Sequence, residues 1–107
     1  MKFYYVYILK CSDQTYYVGI TSDVGRRVME HNMGKHREAF TFSRRPVELL
    51  FVQDFLEPNQ AIAFEKQIKK WSRAKKEALI RGDFDLLSFL AICKNVTHHS
   101  NKLNNED

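Results

Sequence analysis

The hydrophobic positions change period along the chain, and the changes mark its elements. Phe3–Lys10 (FYYVYILK) is an aromatic and β-branched run that predicts a strand. Cys11 to Gln14 is polar, and Thr15–Thr21 (TYYVGIT) has strand character again, so the two runs predict an antiparallel hairpin. Ser22 or Asp23 is placed to cap a helix that reaches about Met33 and stops at Gly34, with Val24 and Val28 as its buried edge. Residues 35–45 form a polar, basic loop containing aromatic residues. Val47–Phe55 (VELLFVQDF) predicts a third strand. Its alternation is imperfect, with Val47, Leu49 and Phe51 on one face and Leu50 and Val52 on the other, which suits a strand covered by helices on both faces. Pro58 and Asn59 open a helix over about 59–70, with an apolar stripe of Ala61, Phe64, Ile68 and Trp71. Ser72 is placed to cap a helix over Arg73–Arg81 that Gly82 ends. Asp83 begins a last helix, whose apolar surface comes from Phe84, Leu86, Leu87, Leu90 and Ile92.

The order β-β-α-β-α-α-α predicts an α+β fold, a three-stranded antiparallel sheet flanked by helices. At 107 residues the chain is the size of one domain. It is read as a domain over 1–94 and a polar, disordered tail over 95–107, where Val96 and Leu103 are the only sizeable aliphatic residues.

Composition narrows the function classes. With 44% hydrophobic and 28% charged residues the chain is neither wholly disordered nor collagen-like. No apolar run approaches the ~18 residues of a membrane span, so no membrane role is expected. The N-terminal MKFYYVYILKC lacks the features of a signal peptide, which predicts a cytoplasmic protein with Cys11 and Cys93 as reduced thiols. The net charge is only +4, yet thirteen of the seventeen Lys and Arg residues fall in two segments, 26–45 and 66–81. Two such segments are either solvated helix faces or, if they fold onto one side, a surface that tracks phosphates. The candidates for phosphate contact are Arg26, Lys35, Arg37, Arg44, Arg45, Lys69, Lys70 and Arg73. His98 and His99 are read as part of the solvated tail.

Candidate chemistry begins in the hairpin. Tyr5-Val6-Tyr7 lies in the first strand and Tyr17-Val18-Gly19 in the second. Arg27 and His31 follow one helical turn apart, and Glu65 borders the apolar stripe of a later helix. Each has an ordinary reading: strand-packing tyrosines, a solvated Arg–His pair, and a Glu65–Lys69 ion pair at i,i+4. Whether Tyr7 and Tyr17 share a face depends on hairpin register, which the sequence leaves open.

The ordered set resembles the GIY-YIG nuclease family over roughly residues 3–81, in particular its small stand-alone bacterial members. Tyr5-Val6-Tyr7 matches the first motif with Tyr for the leading glycine, and Tyr17-Val18-Gly19 matches the second. Arg27 and His31 match the family's positions in the first helix, and Glu65, within Ala-Phe-Glu-Lys, matches its metal-binding glutamate. Residues 43–49 (SRRPVEL) and 68–76 (IKKWSRAKK) add to the likeness. One departure is that many members carry an Asn about a dozen residues after the glutamate, where this chain reads Arg73-Ala-Lys-Lys-Glu77-Ala.

The resemblance implies a metal-dependent endonuclease acting on DNA in repair or processing. The small core fold offers no separate recognition domain, so structure-directed or low-specificity cutting, of branched or single-stranded DNA, is expected. Phosphodiester hydrolysis needs a water deprotonated, charge on the phosphate oxygens offset and a leaving oxygen assisted. Glu65 is the implied ligand of Mg²⁺ or Mn²⁺. Arg27 offers a planar fork to phosphate, and His31 moves a proton or bonds the phosphate. Tyr7 and Tyr17 act on the water, one as base and one as its partner. Two other classes stay open: a nucleic-acid-binding module that does not cut, and an adaptor subunit of a repair complex.

Overall fold

The computed structural model describes residues 2–97, with the side chains of 91–97 outside the description. The expectations for Ile92, Cys93, His98, His99 and the tail beyond Thr97 therefore lie outside the described residues. The elements are β1 (Tyr4–Lys10), β2 (Tyr16–Thr21), α1 (Val24–Met33), a 3₁₀ turn (Phe42–Arg44), β3 (Glu48–Phe55), α2 (Pro58–Lys69), α3 (Arg73–Arg81) and α4 (Phe84–Thr97). The α+β order is the one the hydrophobic pattern predicts. The helix α4 continues through residues 95–97, which the pattern assigned to the tail. The chain divides into two compact units, Met1–Lys69 with the sheet, α1 and α2, and Lys70–Asp107 with α3 and α4.

In the first unit the three strands run antiparallel in the order β2-β1-β3. The first strand in sequence is thus central in the sheet. Val6, Tyr7, Ile8 and Leu9 are all fully buried, four consecutive residues, as only a strand covered on both faces allows. The double covering expected for β3 belongs to β1 instead. As an edge strand, β3 leaves Leu49, Val52, Gln53 and Asp54 exposed, because it has one neighbour and incomplete cover.

Register sorts the two faces. Ile8 pairs with Phe51 and Tyr4 with Phe55, so these side chains share a face. Phe64 of α2 places its ring 6.5 Å from Phe51 and 5.4 Å from Phe55, so α2 packs on that face, with Ala61 and Ile68 fully buried. Pro58 opens α2 at its first position, where a missing N–H is harmless. The opposite face carries Tyr7 and Leu9, which form a core with Cys11 and Val47; Val28 of α1 and Tyr17 pack against it. Cys11 is a buried free thiol.

Helix α1 is capped at both ends as its sequence suggests. Asp23 Oδ1 accepts from Arg26 N at 3.1 Å, and Gly34 takes the left-handed conformation at φ +70°. In the second unit Ser72 Oγ accepts from Lys75 N at 3.2 Å, Gly82 ends α3 at φ +73°, and Asp83 Oδ1 accepts from Leu86 N. Trp71, expected on the stripe of α2, lies beyond its end and carries the Lys75 ammonium over its ring at 4.7 Å.

Candidate functional site

The hairpin register settles which face the tyrosines occupy. Leu9 lies opposite Tyr17 and Tyr7 opposite Gly19, so Tyr7 and Tyr17 are diagonal neighbours on one face, with ring centroids 6.3 Å apart. Gly19 is what lets the Tyr7 ring lie across β2. A Cβ built there falls 2.5 Å from the Tyr7 hydroxyl oxygen and 2.6 Å from its Cζ. The glycine of the second motif thus serves close approach rather than a special backbone angle.

Helix α1 brings the next groups to that face. The His31 ring centroid is 5.3 Å from that of Tyr17 and 6.2 Å from that of Tyr7, and His31 Nε2 lies 3.1 Å from Tyr7 Oη. On the far side of the imidazole, Nδ1 lies 2.7 Å from the Thr41 hydroxyl. The neighbouring Asn32 fixes α1 to the start of β3, accepting from Val47 N at 2.7 Å and donating to Val47 O at 3.2 Å. Arg27, one turn before His31, stands 3.6 Å from Glu30, and its positive charge acts on the Tyr7 phenol.

Burial governs the protonation states. It pushes the Tyr7 phenol up to about 12, with Tyr17 and Glu65 acting in the same direction and Arg27 opposing them. Burial also holds the His31 imidazole below its ordinary value, reinforced by the positive charge of Arg27 and His36 and opposed by Glu30. At neutral pH the pair is a phenol beside a neutral imidazole. The pKa lowering that a tyrosine base needs is present as an Arg27 contribution, but desolvation outweighs it.

Glu65 comes from a different direction. It projects from α2, the helix on the other face of the sheet, which also packs on the edge strand β2. Its side chain is 13% exposed and paired with Lys69 Nζ at 2.7 Å. It meets Tyr7 through its field and makes none of the ring contacts that join Tyr7, Tyr17 and His31. Among the described residues, no three His, Cys, Asp or Glu side chains group closely enough to cage a metal ion. A single hard carboxylate that already holds a cation suits Mg²⁺ or Mn²⁺, which binds through one or two carboxylates, waters and substrate phosphates.

The basic loop is more internally engaged than its charge suggests. Arg44 Nε donates to Asp13 Oδ2 at 3.0 Å, Arg44 Nη1 donates to the Phe40 carbonyl at 2.8 Å, and the guanidinium lies 3.9 Å from the Phe40 ring centroid. Phe40, 43% exposed, stacks on Tyr17 with centroids 6.0 Å apart and planes at 22°. Arg45 donates to the Phe42 carbonyl and lies over the Phe42 ring, with Arg37 over the same ring at 5.7 Å. Glu30 gathers Arg26 at 3.8 Å and Lys35 at 3.2 Å besides Arg27. Lys70 and Arg73 belong to the second unit, where Arg73 pairs with Glu77. Sequence reasoning passed over Thr41, Phe40 and Asn32. The aromatic content of the loop was a signal for Phe40; a lone Thr and a helical Asn gave none.

A three-stranded antiparallel sheet whose hairpin presents two tyrosines to an Arg and a His on the following helix defines a class of catalytic domain. The description "GIY-YIG catalytic domain" matches residues 3–78, and the chain belongs to that family. A UPF0213 protein of Syntrophus aciditrophicus is 47% identical over 77 residues, 72% of this chain and 88% of that protein. A UPF0213 protein of Bacillus pumilus is 39% identical over 101 residues, 94% of this chain and 95% of that protein. Among solved structures, the protein EF2693 from E. faecalis is 28% identical with a TM-score of 0.52, covering 100% of this chain and 97% of that one. The UPF0213 protein BH0048 from Bacillus halodurans is 39% identical with a TM-score of 0.49, covering 74% and 83%. The family implies nuclease chemistry on nucleic acid, with a divalent metal. No helix among the described residues is long and apolar enough to cross a membrane.

Proposed function

We propose that this chain is a divalent-metal-dependent endonuclease that hydrolyses DNA phosphodiester bonds, structure-directed or of low specificity, in DNA repair or processing. The observation that carries the reading is the convergence on Tyr7: its hydroxyl meets His31 at 3.1 Å, the charge of Arg27 acts on it, and the Tyr17 ring lies beside it. Arg27 offers its guanidinium to the phosphate oxygens on which charge builds. Tyr7 and Tyr17 handle the attacking water, one taking its proton and the other orienting it. Glu65 would hold Mg²⁺ or Mn²⁺ in exchange for Lys69. When bound, the cation supplies charge that offsets the phosphate and the leaving oxygen. Around the site, contacts to phosphate position the substrate without reading bases, which favours branched or single-stranded DNA over one duplex sequence.

One observation favours a second reading, a nucleic-acid-binding module or adaptor that does not cut. Glu65 is closed off by Lys69 at 2.7 Å, and the position of the family's Asn is empty of one. A single experiment separates the readings. Purified protein is incubated with labelled branched, single-stranded and duplex DNA, with Mg²⁺, with Mn²⁺ and with chelator. Metal-dependent nicking is expected, and salt-sensitive binding without nicking in either metal would replace the enzyme by the binding module. Absence of binding at low salt leaves the adaptor.

A further inference from the structure

Phe40 lies in the loop between α1 and β3, outside every motif, and is 43% exposed. A single exposed ring is ordinary by itself. This one is held by two planar neighbours. Its ring stacks on Tyr17, with centroids 6.0 Å apart and planes at 22°. Stacked rings touch at about 3.5 Å, so much of that distance is sideways offset and the two rings form a step. The Arg44 guanidinium lies 3.9 Å from the Phe40 centroid. It is itself anchored: Nε donates to Asp13 Oδ2 at 3.0 Å, and Nη1 donates to the Phe40 carbonyl at 2.8 Å. Two of its three nitrogens are thus engaged, and Asp13 offsets its charge. What Arg44 has left to offer is chiefly its flat face. Tyr17, Phe40 and Arg44 therefore form a column of planar groups that runs from a candidate catalytic side chain to the surface.

We propose that this column is a stacking platform for an unpaired nucleobase of the DNA strand whose phosphate meets Arg27. Every base has a flat π face, and bases stack on aromatic rings and on guanidinium planes whatever their sequence. In a duplex the bases already stack on one another, so the platform selects unpaired positions over paired ones. Charge points to a nucleic-acid strand rather than an apolar peptide. The loop over residues 35–45 carries Lys35, Arg37, Arg44 and Arg45 against one acid, Glu38. Phe40 and Arg44 bind the base and take no part in the proton transfers. The proposal rests on the nuclease reading for its choice of DNA and deepens it by naming the part of the substrate that is held. Stacking itself requires no cutting.

The test therefore measures binding in chelator. Fluorescence anisotropy compares a short thymidine oligomer, an abasic deoxyribose-phosphate oligomer of the same length, and a duplex. The wild type is expected to bind the thymidine oligomer about tenfold more tightly than the abasic one. Phe40→Leu keeps apolar bulk without a ring, and is expected to lose that preference while holding the abasic oligomer and the duplex as the wild type does. Phe40→Trp is expected to keep or raise it. Arg44→Lys keeps the charge without the plane, and is expected to lose part of it. Equal affinity of the wild type for the two oligomers overturns the inference. So does a Phe40→Leu variant that weakens both alike, the mark of a ring that only supports the loop. If Phe40→Leu does not fold, the wild-type comparison and Arg44→Lys decide, with an unchanged preference in Arg44→Lys overturning the platform. A chain that prefers the thymidine oligomer yet nicks no DNA in Mg²⁺ or Mn²⁺ loses the nuclease reading and keeps the platform. A chain that nicks without the preference loses the platform alone, and absence of binding to all three removes both.

Discussion

The two faces of the sheet solve different problems with the same three strands. On the α2 face, Phe51, which pairs with the buried Ile8, and Phe55 place their rings beside Phe64. On the α1 face, Tyr7 is equally buried, yet its oxygen is tied to His31 and through it to Thr41. Burial on the first face stabilises in proportion to the apolar area removed from water. On the second it also moves protonation states, raising Tyr7 and lowering His31. The strand β1 serves both at once, because its alternate residues point to opposite sides. The comparison teaches that one central strand packs by apolar contact on its α2 face and combines packing with polar contacts on its α1 face, while Glu65 alone of the candidate catalytic residues comes from α2.

The sharpest way to break that contrast is at the site itself. Tyr17→Phe, Arg27→Ala and Glu65→Gln are each expected to reduce nicking by about a hundredfold or more while leaving the thermal transition nearly in place. A variant that unfolds instead would make the polar face a structural one. On the opposite face, Ile68→Ala is expected to lower unfolding stability by about 2–5 kcal/mol in denaturant titration, with the Tyr7–His31 contact intact by imidazole NMR. Gly19→Ala tests the contact between the faces' shared strand and its neighbour. Its Cβ must displace the Tyr7 ring, for an expected loss of about 1–3 kcal/mol and of nicking, and Tyr7→Leu in the same chain should recover stability without activity.

A fourth prediction concerns pH. The folded chain holds the Tyr7 proton to about 12, whereas an unburied phenol releases it near 10.0. In that window the folded state binds more protons than the unfolded one, so stability falls as pH rises from about 10 to 12, and Tyr7→Phe should fall less steeply. His31 has the opposite sign. Its folded pKa lies below the ordinary 6.5, so its contribution is full above that value and is lost as pH falls below it. The smallest effect is expected from Asp23→Ala, which removes the cap of α1 at about 1 kcal/mol and loosens the helix that carries Arg27 and His31.

Local chemistry is what the sequence by itself determined. Gly34 and Gly82 end helices because they reach a left-handed conformation that other residues resist, and Asp23 and Ser72 cap because their oxygens reach the next free N–H groups. The helical period of Ala61, Phe64 and Ile68 and the aromatic runs of β1 and β2 made the element order readable, and the resemblance of the ordered motifs to the GIY-YIG family singled out Tyr7, Tyr17, Arg27, His31 and Glu65. The tertiary structure alone decided that β1 is central, that Tyr7 lies opposite Gly19, and that Glu65 approaches from the α2 side. It also decided that Arg44 is tied to Asp13 and that Thr41 touches His31. Residues 13 and 44, or 31 and 41, meet only when strands and loops dock. Such contacts depend on register and on pairing across the chain, and neither leaves a period in the sequence.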